Sequence, residues 1–507
     1  MQSASRIALR IAVFVAGALL MALEVAAFRI IGKTFGAALR ETTTVIAVFL
    51  AAMSAGYWAG GRVADRRPRP ATLVATLLLA ALSLFIVPWL DAAVSPRIAA
   101  SSLALATHAF LATSILFAVP TFLLAATSPI AIRLFATSTG ASGSNAGSIS
   151  ALSTAGSIAG SLATAFFLID WLASISRTVI VVGAAALATA LFVQFATAER
   201  RAAGRLALGA AAAALVVAAT AVFLARSASL EQPLLRPLPN TRILFAGDSA
   251  YHRITVRERA HQRELLFNLA IQTRMRVGDP FGPGNPYSDT LHLARLLRPQ
   301  TKRVLVIGLG GGTAAKHYAH WYADTVVDAV DVDPLVIELA QRFFAVARGP
   351  RLRLYTADGR TFLRRTNERW DLIILDVATT NRYGDTYPPH LATREFFGEL
   401  SAHLAPGGIL HVHNGFHQSR LMPALHKTLS SVFATVLTAN GEMLASDGAL
   451  VVDRGVLVAR AAQAGLLAQL PNLREGIERL TDAKPAYGDV PLLTDDYAPV
   501  DTLLRSR

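Results

Sequence analysis

Seven apolar stretches, roughly 7–31, 42–61, 71–90, 99–124, 146–169, 177–197 and 205–225, fill the first 226 residues, and each approaches the ~20 residues a helix needs to cross a bilayer. In lipid a backbone must satisfy its own N–H and C=O groups, so such stretches have the helix as their solution. The first stretch is too long for a cleaved leader, lacks a small-residue cleavage pattern and is followed by further spans, so it is expected to remain. Charge divides the chain at the same place. Residues 1–226 carry 16 of the 48 Lys and Arg and 6 of the 34 Asp and Glu, leaving 32 and 28 for the rest. Most of the net charge of +14 therefore flanks the spans, and the near balance of the second half gives no footprint for nucleic acid. With 53% hydrophobic residues the chain is not disordered, and the absence of Cys removes disulfides, thiolate metal sites and Cys nucleophiles.

Polar features interrupt the apolar half. Glu24 falls inside the first stretch, where a carboxylate is costly, and Arg29 lies near it along the chain. An ion pair, packing against protein or a transport role stay open for it. Gly61-Arg62-Val63-Ala64-Asp65-Arg66-Arg67 is expected to form the loop between the second and third stretches. It resembles the short basic loop of major facilitator transporters and equally suits a plain topology signal, and those transporters have more spans than this chain. Gly156-Ser157-Ile158-Ala159-Gly160 suits close helix packing in lipid. With the N-terminus inside, basic residues favour the inner flanks (Arg6, Arg10, Arg62, Arg66, Arg67, Arg69, Arg133, Arg200, Arg201, Arg205) over the outer ones (Arg29, Lys33, Arg40, Arg97, Arg177, Arg226). An odd span count then places the second half outside. Pro120 and Pro129 interrupt 98–136, so a hairpin or re-entrant segment there is the alternative that restores an even count, and it erases the bias.

From about residue 240 the pattern turns to short strands, turns and amphipathic helices. Residues 243–276 alternate in short runs, which reads as a small antiparallel sheet. Arg303-Val304-Leu305-Val306-Ile307 is a buried strand that runs into Gly308-Leu309-Gly310-Gly311-Gly312-Thr313 and then a helix. A second strand from Val326 ends in Asp331-Val332-Asp333, about 20 residues after the glycines, the spacing of a nucleotide-binding half of a doubly wound sheet. Glycines let the backbone approach the ligand, and the acid accepts hydrogen bonds from ribose hydroxyls. Asp358-Gly359, Trp370–Asp376 and Pro406–His413 supply further strand ends.

Val304–Thr313, Asp331-Val332-Asp333, Ala357-Asp358-Gly359, Ile373–Asp376, Pro388–Phe396 and Leu493–Pro499 together resemble the spermidine synthase family, on a methyltransferase-type Rossmann fold. The whole chain resembles its membrane-fused bacterial relatives, the polyamine aminopropyltransferase type. The resemblance implies Asp331 as ribose acid, with Gly308, Gly310 and Gly312 beside it, and Asp358 with Gly359 on the adenine side. It implies Gln272 as a further donor contact, Tyr287 near the substrate, and Asp376 as the acid ending the fourth strand. The implied donor is decarboxylated S-adenosylmethionine, or S-adenosylmethionine itself, as co-substrate. The pattern also departs from the family. Gly311 stands where the family has an Asp that contacts the donor's amine, Tyr287-Ser288-Asp289 replaces Tyr-His-Glu, and Thr379 replaces the acid that acts as base toward the acceptor.

Aminopropyl transfer displaces a sulfonium with an amine that arrives protonated, so the site needs carboxylates to hold the cation and take its proton. Asp289, Asp376, Asp385, Asp495 and Asp496 are the available acids. Asp385, following Gly384 in a long loop, is expected to be the base in place of Thr379, while Asp495-Asp496 also suits a cap or solvated turn. His411, His413 and His417 lack an acid in their run, so no metal is expected, and His413 or Asn414 at the strand end is a substrate-side candidate. The Arg360, Arg364, Arg365 and Arg369 cluster reads as a solvated helix face.

The expected architecture is thus an α-helical polytopic membrane domain of about seven helices (1–226), a linker (227–242), a small N-terminal antiparallel β-sheet subdomain (243–285), and an α/β Rossmann-type, methyltransferase-like domain (286–507). The expected partners are a small-molecule amine and the lipid bilayer, with no nucleic acid; a homo-oligomer stays open. A membrane-bound aminopropyltransferase with a cytoplasmic catalytic half leads. A methyltransferase, and a non-catalytic or transport-coupled nucleoside- or polyamine-binding protein, are the alternatives.

Overall fold

Long helices occupy the apolar half: α1 (Ser3–Phe35), α2 (Leu39–Arg66), α3 (Pro70–Ala99), α4 (Leu105–Phe135), α5 (Ser142–Ala163), a short α6 (Ile169–Leu172), α7 (Ile175–Thr197) and α8 (Arg205–Arg226). The computed structural model describes residues 3–505 except 36–38, 102–104, 136–141, 173, 198–204, 227–239, 269, 378, 382–383 and 414–418; most of the expected linker, Asn414 and His417 lie outside the described residues. Two compact units result, Met1–Arg236 with Gly247–His252, and Pro237–Ala246 with Arg253–Arg507.

In the first unit, seven helices among the described residues are long and apolar enough to cross a membrane, from Ser5–Gly32 to Ala207–Leu224. Large apolar side chains such as Leu50, Trp89, Phe167 and Leu215 lie exposed on its outside. Gly156 and Gly160 bring α5 so close to α1 that a Cβ at either would strike the carbonyls of Phe14 and Ala18. The segment 98–136 is not a hairpin. From Leu105 it is one helix with Pro120 and Pro129 inside it, because neighbouring helices in an apolar bundle tolerate a missing N–H. Nor is Gly61–Arg67 a loop: α2 runs on to Arg66 and yields only before Pro68, leaving three residues ahead of α3.

The turn Gly247–His252 belongs with these helices. Asp248 Oδ2 accepts the Ile175 N–H at 2.9 Å, capping α7 from a distant segment. Arg29, placed near Glu24 by sequence, donates to the carbonyls of Tyr251, at 3.1 Å, and Ser249.

The second unit begins with a four-stranded antiparallel sheet, β1 (Thr241–Asp248), β2 (Arg253–Arg259), β3 (Gln262–Phe267) and β4 (Ala270–Arg276). This small sheet therefore sits ahead of the Rossmann half, at 241–276, and not at the amino terminus of the chain, which is helical. Then follow α9 (Pro286–Thr290), α10 (Leu293–Leu297), β5 (Arg303–Ile307), α11 (Thr313–Trp321), β6 (Val326–Asp331), α12 (Pro334–Phe343), β7 (Leu352–Thr356), α13 (Gly359–Arg364) and β8 (Trp370–Leu375). A two-stranded hairpin, β9 (Thr379–Asn381) and β10 (Gly384–Thr386), occupies the loop after β8. The remainder is α14 (Arg394–Ala402), β11 (Leu404–Val412), α15 (Leu421–Leu429), β12 (Thr435–Ala439), β13 (Glu442–Ser446), α16 (Arg454–Gln463), α17 (Leu466–Gln469), α18 (Leu473–Glu478) and α19 (Val500–Arg505).

The main sheet has the order β12-β13-β11-β8-β5-β6-β7, with β13 antiparallel to β11 and to β12 and the other pairs parallel. Period-two alternation sends Val304 and Val306 into one apolar layer and Leu305 and Ile307 into the opposite one, so β5 is buried on both faces. After β7 the chain returns to the other side of β5. Strand order reverses between β5 and β8, and the crevice beyond their carboxyl ends is where such sheets bind ligands.

Candidate active site

Gly308 follows β5 with φ +92°, and a Cβ there would strike the carbonyl of Asp376 at the end of β8. Glycine is thus required where the two strand ends converge. Gly310 and Gly312 also take positive φ, and Gly312 starts α11. Asp331 ends β6 directly beside this turn: its Oδ2 accepts the Leu309 N–H at 2.8 Å and its Oδ1 the Asp333 N–H at 2.9 Å. Burial pushes the Asp331 carboxyl up to about 6 against the pull of those N–H groups.

Past β7, Asp358 caps α13 by accepting the Thr361 N–H at 2.8 Å, and its other oxygen lies 3.1 Å from His390 Nε2. Burial raises this carboxyl, but Thr361 and His390 outweigh it and hold it below its ordinary value. Gly359 packs so closely on Ile307 that a side chain there would collide with it. On β4 the Gln272 carbonyl accepts from Asn285 Nδ2 at 2.8 Å, tying the small sheet to the segment before α9.

The carboxyl ends of β8 and β11 carry a second group of polar residues. Tyr287 donates to Asp376 Oδ2 at 3.1 Å, and its ring stacks on His413 with centroids 3.8 Å apart. Burial raises the Asp376 carboxyl, with His413 opposing. Burial also keeps the Tyr287 hydroxyl protonated well above its ordinary range, with Asp376 adding to it, so the tyrosine is the donor. His413 Nδ1 lies 2.6 Å from Glu442 Oε1, and His411 Nε2 lies 3.1 Å from Glu442 Oε2. Burial alone would raise the Glu442 carboxyl; His413 and His411 bring it below its ordinary value. Tyr387 is buried nearby, and its hydroxyl has no partner among the described residues.

Three sequence expectations need correction. Asp289 does not share the face of Tyr287: its Oδ2 accepts the backbone and side-chain N–H of Asn472 at 3.0 and 2.8 Å. Residues two apart on a helix point to nearly opposite sides, so only one of the two can meet Asp376. Asp495 is held by both Arg360 guanidinium nitrogens at 2.8 Å and by Thr393 at 2.7 Å, which lowers its carboxyl to about 2. Arg360 is accordingly buried between Asp495 and Glu399 and is no solvated face. Asp496 is exposed. The backbone of Asp385 pairs with Thr380 in the β9–β10 hairpin, while the side chains of Asp385 and Thr379 lie outside the described residues.

Glu442 and Thr273 went unnoticed in the sequence. A carboxylate on a buried strand needs a partner, and that signal was available for Glu442. Thr273 Oγ1 accepts the Gly311 N–H at 2.9 Å, and a Cβ at Gly311 would come within 2.5 Å of Thr273 Cγ2. Among the described residues no group of three or more His, Asp or Glu is arranged to hold a metal ion.

Residues 286–440 match the family model of the spermine/spermidine synthase domain. A polyamine aminopropyltransferase of Vibrio vulnificus (strain CMCP6) is 31% identical over 210 residues, covering 39% of this chain and 69% of that protein. A probable polyamine aminopropyl transferase of Bifidobacterium longum (strain NCC 2705) is 25% identical over 290 residues, covering 52% of this chain and 62% of its own length. Among solved structures, a probable spermidine synthase from Corynebacterium glutamicum ATCC 13032 aligns at 18% identity and TM-score 0.39, over 49% of this chain and 99% of the other. Spermidine synthase from Thermotoga maritima aligns at 21% identity and TM-score 0.36, over 44% and 88%.

Proposed function

The chain belongs to the spermine/spermidine synthase family of polyamine aminopropyltransferases, and on that premise we propose that it moves an aminopropyl group from decarboxylated S-adenosylmethionine to an amine such as putrescine, tethered to a membrane by its first half. The observation that carries this reading is Asp376. It is a half-buried carboxyl group at the switch point of the sheet, beside the glycine turn, with Tyr287 donating to it.

In this reading the nucleoside lies over Gly308–Gly312, its ribose hydroxyls meet Asp331, and Asp358 with Gly359 and Gln272 line the donor's remaining contacts. Asp376 holds the acceptor ammonium, Tyr287 orients it, and Asp385 closes from the β9–β10 hairpin. Holding the amine in line with the carbon next to the sulfonium lowers the barrier mainly by positioning. The seven apolar helices and the exposed apolar side chains around them support insertion in a bilayer. We place the catalytic half on the cytoplasmic side, where such donors are made, against the basic residues of the flanks.

Methyl transfer from S-adenosylmethionine is favoured by one observation, that Thr273 leaves no room for a side chain at Gly311, where the resemblance implies an acid that contacts the donor's amine. One assay separates the two. Purified full-length protein incubated with each donor and putrescine should release methylthioadenosine from the decarboxylated donor. S-adenosylhomocysteine from the other donor, with no methylthioadenosine, would overturn the aminopropyl reading.

A further inference from the structure

Transfer to an ammonium needs a proton acceptor, Thr379 cannot be one, and the ends of β8, β11 and β13 hold an imidazole that can. β11 pairs in parallel with β8, Val412 against Leu375, so the next residues, His413 and Asp376, emerge side by side; the His413 N–H donates to the Leu375 carbonyl at 2.9 Å. β13 pairs antiparallel to β11, Met443 against Val412, which sets Glu442 against His413 from the other side. The imidazole therefore stands between a carboxylate inside the sheet and another at the crevice. Glu442 keeps 2% of its side-chain surface exposed and His413 keeps 18%, so the pair runs from the interior toward the crevice.

The chemistry of the pair fixes the tautomer. An ionised carboxylate only accepts, so the hydrogen on His413 Nδ1 points to Glu442 Oε1 and Nε2 is the basic nitrogen. The stack of Tyr287 on His413 holds the ring plane, while the Tyr287 hydroxyl reaches Asp376. One residue thus links the proposed base to the carboxylate proposed to hold the amine. Among the described residues the groups facing His413 include Glu442 on β13, His411 on its own strand, Asp376 after β8, Tyr287 on α9, and Tyr387 near Asp376 and Glu442.

We propose that His413 is the general base of the transfer, with Glu442 as its positioning residue, replacing the acid absent at Thr379. The proposal rests on the aminopropyl reading. The acceptor ammonium gives one proton to His413 Nε2, and the freed lone pair forms the N–C bond to the propyl carbon as the C–S bond breaks. The electron pair of that bond stays on sulfur as a neutral thioether. The new secondary amine leaves as its ammonium, and the imidazolium beside Glu442 returns its proton to water.

The test is steady-state kinetics of the full chain with decarboxylated donor and putrescine from pH 6 to 10. The variants are His413→Gln, Glu442→Gln and Asp385→Asn. His413→Gln should lower kcat about 100- to 1,000-fold with the donor KM unchanged. Its rate should climb about tenfold per pH unit toward the amine's own pKa near ~10.4, where the substrate deprotonates unaided. Glu442→Gln should move the ascending limb to lower pH, since the imidazolium loses its counter-charge. A His413→Gln rate within threefold of wild type, an unmoved limb in Glu442→Gln, or the hydroxide-like slope appearing in Asp385→Asn alone would each overturn the proposal. If the β11 or β13 variants do not fold, nitrogen NMR of the histidines in wild type decides. Putrescine added with methylthioadenosine must shift His413 Nε2 and leave Nδ1 in place, and an unshifted Nε2 overturns the role. A wild type that transfers no aminopropyl group overturns the reaction together with this role; transfer in His413→Gln at a rate within threefold of wild type overturns the role alone.

Discussion

Donor binding should strengthen as pH rises through about 6, because the carboxyl of Asp331 is pushed up to about that value and only its ionised form accepts from two ribose hydroxyls as well as from Leu309 and Asp333. If protonation abolishes the ribose contact, the dissociation constant scales with one plus the ratio of protonated to ionised Asp331. That gives roughly elevenfold weaker binding at pH 5 than at pH 8, and nearly full strength by pH 7. The free protein moves the opposite way. The folded state holds its proton more tightly than the unfolded chain, whose Asp titrates near 3.9, so this carboxyl stabilises the fold most at low pH. That contribution is lost as pH rises from about 4 to about 6. Calorimetric titration of methylthioadenosine into full-length protein from pH 5 to 8, alongside thermal melts without ligand, reads both slopes. Asp331→Asn should flatten the binding curve. It should also weaken binding at pH 8 by roughly 1.5–3 kcal/mol, because its amide turns an N–H toward one of the two backbone donors. A pH-independent affinity in wild type, or a slope that survives in Asp331→Asn, would refute the assignment of Asp331 to the ribose.

Asp248→Ala should lower the melting temperature of the detergent-solubilised chain by the equivalent of about 1–2 kcal/mol, the cost of uncapping α7 at Ile175; an unchanged melt would show that water replaces the cap. Arg360→Met should destabilise the second unit by about 2–3 kcal/mol, less than for a fully buried pair because Asp495 is partly exposed, read by urea melts of the full chain. With Asp495 lowered to about 2, this pair should stabilise at full strength above pH 4 and be lost as pH falls through about 2. A cytoplasmic catalytic half should make a C-terminal fluorescent fusion bright and a C-terminal phosphatase fusion inactive; the reverse pattern would follow the basic flanks instead.

What the sequence disclosed was local. Each part of the strand, glycine turn, helix and acid from Arg303 to Asp333 is specified by neighbours within a few residues, so the crevice could be placed before any coordinates. The long apolar helices were legible for the same reason, since length and apolarity are properties of one segment. Pro120 and Pro129 misled because the penalty for Pro in a helix is calibrated in water, where no neighbouring helix compensates the freed carbonyl. Asp289 misled because a linear motif ignores the turn of a helix: two positions from Tyr287 means the other side. Glu442 escaped altogether. Its partners are 29 and 31 residues away and meet it only through the register of β13 on β11. Arg360 was misread because its counter-charge arrives from the C-terminal tail, 135 residues on.

The contact between Thr273 and Gly311 has a consequence for how this site can change. No side chain fits at 311 while Thr273 Cγ2 stands 2.5 Å from where its first carbon would be, and overpacking of that kind displaces backbone rather than a flexible tip. A lineage could reach an acid at 311 only after Thr273 had shrunk. That first step gives up the hydroxyl that now accepts the Gly311 N–H. The two positions form a one-way gate in sequence space: Gly311→Asp is closed from the present state, Thr273→Gly is the step that opens it, and the intermediate carries neither the old contact nor the new charge. Descendants of this chain that carry a side chain at 311 are therefore expected to carry a smaller residue than threonine at 273.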